Sequence, residues 1–349
     1  MLKSSIYING IGAVSPQGVG SGNVFSNSIN APQYEHGFIS CIEPNYTDYI
    51  TPNNIRRMSK LIKTSIVASK LALKDSTTEK PDAIITGTGM GCMEDTEKFL
   101  KGIVNDEGSP SSPTAFIHST HNTISSQVAI ALNCTGYNST YVHRAASFES
   151  ALADGIIQLQ EKDSDTNNIL VGGVDEITST IYDITKKLNF WKKDNKENIP
   201  LYTSKTKGAI SGEGMVYFSL SNKLAKESYA QISAVKILQK ASSDTIADIL
   251  YDFIKNNGLK VADIDLVVLG NNGDVRYDYY YKEIAKQFEE NKITYFKELC
   301  GEYFTSSSFG LAFAATKLKS NRGKFRKAIL YNQFHGMNHC FYLLSNVEV

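Results

Sequence analysis

The stretch GYNSTYVHRAASFESALA, residues 136–153, changes its periodicity half-way along. Residues 138–142 are rich in Thr, Tyr and Val, which suit a pleated, half-buried strand. The apolar residues that follow recur at helical spacing: Phe148, Leu152, Ile156 and Leu159. The pattern predicts a strand that enters a helix, covering residues 145–160, through a sharp turn near residues 143–147. A nucleophile at such a turn is exposed above the sheet, and the helix N-terminus stabilises negative charge beside it.

The same stretch resembles the nucleophile turn of the β-ketoacyl-acyl-carrier-protein synthases, which reads approximately G-P-x-x-x-x-x-T-A-C. Aligned without gaps from Gly136, the position of the family's acyl-accepting Cys falls on Ala145. An Ala methyl group cannot ionise and cannot attack a thioester. The resemblance therefore implies an active-site turn that lacks its nucleophile.

Other segments resemble the same family in the same order along the chain. The opening IYINGIGAVSPQGVG is similar to its first strand and turn, NILVGGV to its A-G-G strand, and KTKGAISGEG to its G-E-G segment. The opening also predicts a strand over residues 6–8 that ends in a Gly turn at Gly10 and Gly12. A dinucleotide-binding turn is the alternative for these glycines, but Ser15 replaces the third Gly and no acidic residue follows about 20 positions on.

The two catalytic His residues of the family are also replaced. The first belongs to an H-G-T-x-T segment after a strand, and that segment matches Leu269-Gly-Asn-Asn-Gly here, so its His position falls on Leu269. The second follows a conserved Lys in K-x-x-x-G-H, and here Lys297 is retained while the His position falls on Glu302. Three replacements at three chemical positions, Ala145, Leu269 and Glu302, imply that no catalytic set is intact.

The resemblance also marks residues for contact with an acyl tunnel or a partner subunit. Residues 114–132 resemble the segment that lines the dimer interface and the tunnel end in the family, which implicates Phe116, Ile117, His121 and Asn122. Phe148 replaces a family Gly, and its ring is expected to fill the vacated pocket. Phe334 lies in QFHGMN, similar to the family's G-F-G-G-x-N, at the position of the gating Phe.

Composition limits the classes of function. The 349 residues carry 36 basic and 36 acidic side chains, so no excess of positive charge favours nucleic acid or an anionic membrane. Five irregularly spaced Cys residues argue against a disulfide framework or a Cys-based metal site. His118 and His121 are spaced for a metal pair but have no acidic or Cys partner nearby in the sequence. We therefore expect no metal and no cofactor. The absence of a signal-peptide pattern or a long apolar run makes a cytoplasmic location the expectation.

Two other groups are alternative nucleophiles. Cys300 lies two residues before Glu302, which leaves open an acyltransferase with rearranged catalytic groups. Ser147 and His143 flank Ala145, but no G-x-S-x-G elbow surrounds Ser147.

The resemblance implies a thiolase-like α/β fold with five layers, α-β-α-β-α, built from two similar halves at residues 1–224 and 225–349. The expected function is that of a catalytically inactive synthase-like subunit of the chain-length-factor type. Such a subunit pairs with an active ketosynthase in type II polyketide, aryl polyene or fatty acid biosynthesis, with an acyl carrier protein as a further partner. The alternatives are the rearranged acyltransferase and an acyl-binding homodimer.

Overall fold

The computed structural model describes residues 5–25, 34–35, 37–105, 113–161, 166–193 and 200–347. We number the strands of the central sheet as follows: β1 Ile6–Ser15, β2 Ala83–Gly87, β3 Tyr137–Tyr141, β4 Asn168–Asp175, β5 Gly214–Ser221, β6 Ala230–Gln239, β7 Leu266–Leu269, β8 Ile293–Tyr295, β9 Lys327–Phe334 and β10 Asn338–Ser345. The helices are α1 Pro52–Ile55, α2 Lys60–Asp75, α3 Met93–Asn105, α4 Pro113–His118, α5 Thr123–Ala131, α6 Ser147–Gln160, α7 Ser179–Lys187, α8 Ser243–Asn256, α9 Asp278–Ala285, α10 Lys297–Cys300 and α11 Ser307–Ser320. Short strands at Gly18–Gly20, Tyr34–Glu35 and Phe38–Ile39 complete the β structure of the described residues.

The strand order reveals an internal duplication. The first five strands lie in the order β3-β2-β4-β5-β1, and the second five lie in the equivalent order β8-β7-β9-β10-β6. In each set the strand that comes fifth along the chain, β5 or β10, runs antiparallel to both of its neighbours in the sheet. The two sets join where β1 pairs antiparallel with β6. The halves are therefore similar in topology, although no repeat is visible in the sequence. Their division at residue 224 stays a prediction, and it falls in the connection between β5 and β6.

The helices form three layers around these strands. In the central layer, α6 contacts β2, β3 and β4, and α11 contacts strands of both halves as well as α6. On the outside of the first half, α2 and α5 pack together against its strands, and on the outside of the second half α8 and α9 enclose a separate core. The predicted five-layer α-β-α-β-α arrangement is confirmed.

Alternation along the strands assigns residues to the central or the outer cores. In β2, Ala83 and Ile85 face the central core, while Ile84 faces the outer core under α2 and α5. In β9, Leu330 faces inward, while Tyr331 faces the core under α8 and α9. Because both faces of each sheet are covered, the strands are apolar on both sides. Burial of each such side chain stabilises the fold by about 1.5–3 kcal/mol.

The predicted Gly turn at Gly10 and Gly12 is wrong. Both glycines lie inside β1, which continues to Ser15. A Cβ atom on Gly12 would lie 2.1 Å from the carbonyl oxygen of Ala68, and one on Gly10 would lie 2.3 Å from that of Ala72. The glycines therefore bring the backbone of α2 against β1 and do not form a turn.

Candidate active site

The reactive turn has the predicted local structure. After β3, a single 3-10 turn at Arg144–Ala146 leads into α6. Arg144 adopts a positive φ of 50°. The Ser147 hydroxyl accepts a hydrogen bond from the His143 amide at 2.8 Å and donates one to the Arg144 carbonyl at 2.6 Å. Ser147 therefore stabilises the turn through backbone hydrogen bonds and is not activated by the His143 imidazole.

Ala145 lies at this turn and is buried, with 6% of its surface exposed. It lines a cavity of about 10 Å³ together with Glu149, Asn332, Phe334 and Cys340. That volume is close to the space that one water molecule needs. The cavity beside Ala145 is too small for an acyl chain.

Cys340 brings to this cavity a thiol that the sequence analysis missed. Burial raises the pKa of the thiol well above its ordinary value, and the nearby Glu149 raises it further. The adjacent His339 is no base for it, because neighbouring residues of a strand point to opposite faces. His339 Nδ1 lies 2.9 Å from the Tyr331 hydroxyl, and its Nε2 lies 3.2 Å from the Gly336 carbonyl oxygen. Cys340 is therefore a protonated thiol of the core.

Glu302 and the retained Lys297 form a buried ion pair. The Lys297 Nζ lies 2.5 Å from Glu302 Oε1, and both side chains are excluded from solvent. Asn272 donates to Glu302 Oε2 at 2.8 Å. Ser306 accepts from Lys297 and donates to Glu302 Oε1. Because both carboxylate oxygens and the ammonium are engaged, neither charge is available to a substrate without breaking this network.

The structure does not bring Leu269 to this site. Its side chain is fully buried in the outer core under α8 and α9. The next residue, Gly270, faces the site instead. A Cβ atom on Gly270 would lie 2.2 Å from Oδ1 of Asn332, and Asn332 lines the Ala145 cavity. Strand alternation directs the Leu269 side chain away from the site. The inward position carries no side chain.

A model of the N-terminal domain of β-ketoacyl synthases matches residues 30–225, more than half of the chain. The chain belongs to the β-ketoacyl synthase family. A search of curated proteins gave no sequence match.

Solved structures of this family have the same fold. The ishigamide ketosynthase/chain length factor has a TM-score of 0.80 at 14% identity, covering 99% of this chain and 100% of that one. A β-ketoacyl synthase from Burkholderia phymatum STM815 has a TM-score of 0.80 at 15% identity with the same coverage. The AntDE:AntF structure, a type II acyl-carrier protein in complex with its ketosynthase, has a TM-score of 0.77 at 14% identity, again covering 99% and 100%. At these identities the likeness establishes the fold.

Phe334 is close to the site, as expected for the gating position of a synthase. It packs against Phe304 with ring centroids 5.0 Å apart and against His335 at 4.3 Å. It lines both the Ala145 cavity and a second cavity of about 40 Å³ beside Glu302. Phe334 thus lies between the two cavities.

Phe148 does not line either cavity. It is fully buried in the central core, where its ring centroid lies 5.7 Å from that of Phe218. A Cβ on Gly173 would lie 2.9 Å from the Phe148 ring. Phe148 therefore fills space between α6 and the sheet, and not the vacated pocket.

The remaining tunnel or partner residues lie on the surface of the single chain. Phe116 and Ile117, on α4, are 55% and 57% exposed. His121 and Asn122 are exposed between α4 and α5. None of the four lines either cavity, and their contact with a tunnel or a partner stays a prediction.

Cys300 does not take over the role of the synthase nucleophile. Its side chain belongs to the central core, and burial raises the pKa of the thiol above its ordinary value. It donates a weak hydrogen bond to the Gly301 carbonyl at 3.3 Å. A buried thiol that is not ionised is a poor nucleophile.

Three carboxyl groups near the site have raised pKa values; Glu149 and Asp175 are buried and Glu176 is half-buried. Burial raises the pKa of Glu149 to about 7 and that of Glu176 to about 8. It raises the pKa of Asp175 to about 6, although hydrogen bonds from Thr305 and Gly89 oppose the shift. The sequence signal for Glu149 was its position one residue after Phe148, close to the start of an apolar helix. That signal is weak, because a charge in the first helical turn is ordinary.

Among the described residues, no group of three or more His, Cys, Asp or Glu side chains is arranged to hold a metal ion. No described helix has the length and apolar character needed to cross a membrane.

Proposed function

We propose that this protein is a catalytically inactive β-ketoacyl synthase-like subunit. It pairs with an active ketosynthase, as a chain length factor does, in the biosynthesis of a type II polyketide, an aryl polyene or a fatty acid. The observation that carries the proposal is Ala145 at the nucleophile turn, with a cavity of only about 10 Å³ beside it and a second one of about 40 Å³ beside Glu302. Pockets that hold small-molecule ligands usually have volumes of about 300–1,000 Å³.

A pairing surface supports the proposal. In the described sheet β3 is an edge strand with β2 as its neighbour, so one row of its backbone groups is open to another chain. The exposed apolar side chains near it and on α3 and α4 are large: Leu100, Ile103, Val104, Phe116, Ile117, Tyr137 and Val142. Large exposed apolar side chains and an open strand edge are both typical of a protein interface.

Two printed names among the structural matches agree with this assignment. One is a ketosynthase/chain length factor, and another is an acyl-carrier protein in complex with its ketosynthase. By analogy, the partner of this chain is a ketosynthase with an intact Cys and two His residues, and an acyl carrier protein delivers the substrate to that partner.

The pairing is tested by co-expression with intact ketosynthases and by size-exclusion chromatography with mass analysis. We expect a heterodimer, and we expect Phe116→Glu with Ile117→Glu to abolish it, because two buried charges would face an apolar partner. Tyr251→Glu is the matched control, since Tyr251 is 55% exposed on α8 in the outer layer of the second half. Recovery of this chain only as a monomer or a homodimer, with every ketosynthase tried, would contradict the proposal.

Incubation with acyl thioesters, followed by intact-mass measurement, tests the inactivity. We expect no covalent adduct on the wild-type chain and none on Ala145→Cys, because the thiol would lie in a cavity without room for an acyl group. An adduct on Cys300 would favour the acyltransferase alternative. A co-purified acyl species held without turnover would favour the acyl-binding homodimer.

A further inference from the structure

A large cleft lies where the two halves join, at the opposite end of the sheet from the candidate active site. It has a volume of about 800 Å³ and is lined by Tyr7, Gln231, Arg322, Arg326, Lys327 and Asn346, together with smaller or apolar neighbours. Its floor includes the β1–β6 pair in which Tyr7 lies opposite Gln231. We call it the junction cleft. Along β9, Lys327 at the cleft and Phe334 at the candidate site are roughly 23 Å apart at 3.3 Å per residue.

The wall of the junction cleft is strongly basic. Residues 317–327, KLKSNRGKFRK, contain six Lys or Arg residues and no acidic residue, although the whole chain has no net charge. Three of these cations, Arg322, Arg326 and Lys327, line the cleft, and none of the described residues that line it carries a carboxylate. Asp265 accepts from the backbone amides of Arg326 and Lys327 at 2.7 and 3.0 Å.

Two of the cations are held in position by the fold. Lys327 Nζ donates to Ser345 Oγ at 2.7 Å, and Ser345 is itself hydrogen-bonded to Ser233 at 2.6 Å. Arg322 donates to the Ser228 carbonyl at 2.8 Å. In the described part of the chain, the Arg326 guanidinium and the Tyr7 hydroxyl have no hydrogen-bond partner, so they are free to bind a ligand.

We propose that the junction cleft binds a phosphorylated small molecule, whose phosphate groups are held by Arg322, Arg326 and Lys327. The planar guanidinium matches phosphate oxygens in a bidentate geometry, and a fixed Lys adds a point charge. The uncharged ring and hydroxyl of Tyr7 suit the organic part of the ligand. The volume lies within the range of small-molecule pockets. The site is independent of the proposed subunit function, because it is built from other residues at the other end of the sheet.

Isothermal titration calorimetry on the full chain tests the site, with inorganic pyrophosphate and ADP as probes at low and physiological salt. We expect saturable binding of at least one probe at one site per chain. Arg326→Gln should weaken it at least about tenfold, since it removes a charged hydrogen-bonding fork. Tighter binding of ADP than of pyrophosphate would show that the cleft also contacts the nucleoside. Equal affinities would show that it recognises the phosphate groups alone.

Lys324→Gln is the matched control. Lys324 is a cation of the same loop, but it does not line the cleft, and its Nζ lies over the Phe325 ring. We expect the affinity of the Lys324→Gln variant for the probes to stay within about twofold of wild type, because exposed charges outside a site contribute little to binding. Circular dichroism melting checks that both variants are folded. Absence of saturable binding by both probes, or equal weakening by the two variants, would overturn the proposal.

Discussion

At the level of single side chains, Glu302, the predicted position of the second catalytic His, is one member of a buried ion pair. Lys297 and Glu302 are held together by Ser306 and Asn272. Taking both charges out of water costs free energy, which their mutual attraction and hydrogen bonds offset only while both are present. The pair is therefore a structural unit in which each charge depends on the other.

Removal of one partner should be costly. Glu302→Ala leaves the Lys297 ammonium buried beside Ser306, and we expect it to lower the free energy of unfolding by about 3–5 kcal/mol in urea denaturation. The double variant Lys297→Met with Glu302→Leu should recover most of the loss. Glu283→Ala, which breaks an exposed pair with Lys286, is the control and should cost less than about 1 kcal/mol. Equal losses for Glu302→Ala and Glu283→Ala would contradict the account.

Glu149 should make stability depend on pH. Burial raises its pKa from 4.5 to about 7, and its carboxyl accepts a hydrogen bond from Tyr342. Between these two values the folded chain binds a proton that the unfolded chain has lost, so this group's contribution to stability decreases as the pH rises from about 4.5 to 7.

Glu149→Gln removes this ionisation. We expect the variant and wild type to differ little at pH 4 and the variant to be more stable by up to about 3 kcal/mol at pH 8, because each pKa unit is worth about 1.4 kcal/mol. Urea unfolding at intervals from pH 4 to pH 8 measures the difference. Glu161→Gln, at the exposed end of α6, should give a profile parallel to wild type. A parallel profile for Glu149→Gln as well would refute the prediction.

At the level of secondary structure, β1 and α2 pack with their backbones in direct contact. Gly10 and Gly12 present no Cβ to the helix, so its backbone lies directly on the strand. Ile11, which lies between the two glycines in the sequence, points to the opposite face of the sheet and belongs to the central core. The spacing of these glycines therefore sets the distance between the first outer layer and the sheet.

Gly12→Ala should force that helix away from the strand. The added methyl group would lie 2.1 Å from the Ala68 carbonyl and 2.3 Å from the Ala72 amide nitrogen, both of them backbone atoms that cannot move alone. We expect a loss of at least about 3 kcal/mol in the free energy of unfolding. Gly323→Ala is the comparison: it has open space around it but a φ of +89°, so strain alone should cost about 1–2 kcal/mol. A smaller loss at Gly12 than at Gly323 would contradict this explanation.

At the level of the whole molecule, the two halves share one central core. The α11 helix of the second half contacts β4, β5 and α6 of the first, and β1 continues the sheet into β6. Phe309 of α11 packs against Phe25 with ring centroids 4.9 Å apart. The first half alone would expose the inner face of its sheet and of α6 to water.

A fragment of residues 1–224 should therefore not fold by itself. We expect it to lack near-ultraviolet circular dichroism and a cooperative urea transition, and we expect co-expression with residues 225–349 to restore both. The full chain is the control. A cooperative transition of the isolated fragment would show that the halves are independent domains.

Local structure could be predicted because it follows from the order of the residues. The strand and helix around Ala145 follow from their periodicities, and the alignment of Ala145 with the family's Cys stays a prediction. The failure at Gly10 and Gly12 has the opposite origin: whether a Gly forms a turn or admits a helix depends on what packs against it. The direction of the Leu269 side chain was beyond the sequence for a related reason, since a shift of one residue along a strand turns a side chain to the opposite face.

The sequence by itself determined the family, the layer architecture and the absence of an ionisable group at Ala145, because residue identity and spacing carry that information. Only the tertiary structure decided that Cys340 and Glu149 meet at the Ala145 cavity, that Glu302 is neutralised by Lys297, and that three cations border a cleft between the halves. Each of these depends on side-chain direction and on contacts between segments far apart in the chain, which strand alternation and core packing fix only when the whole chain is folded.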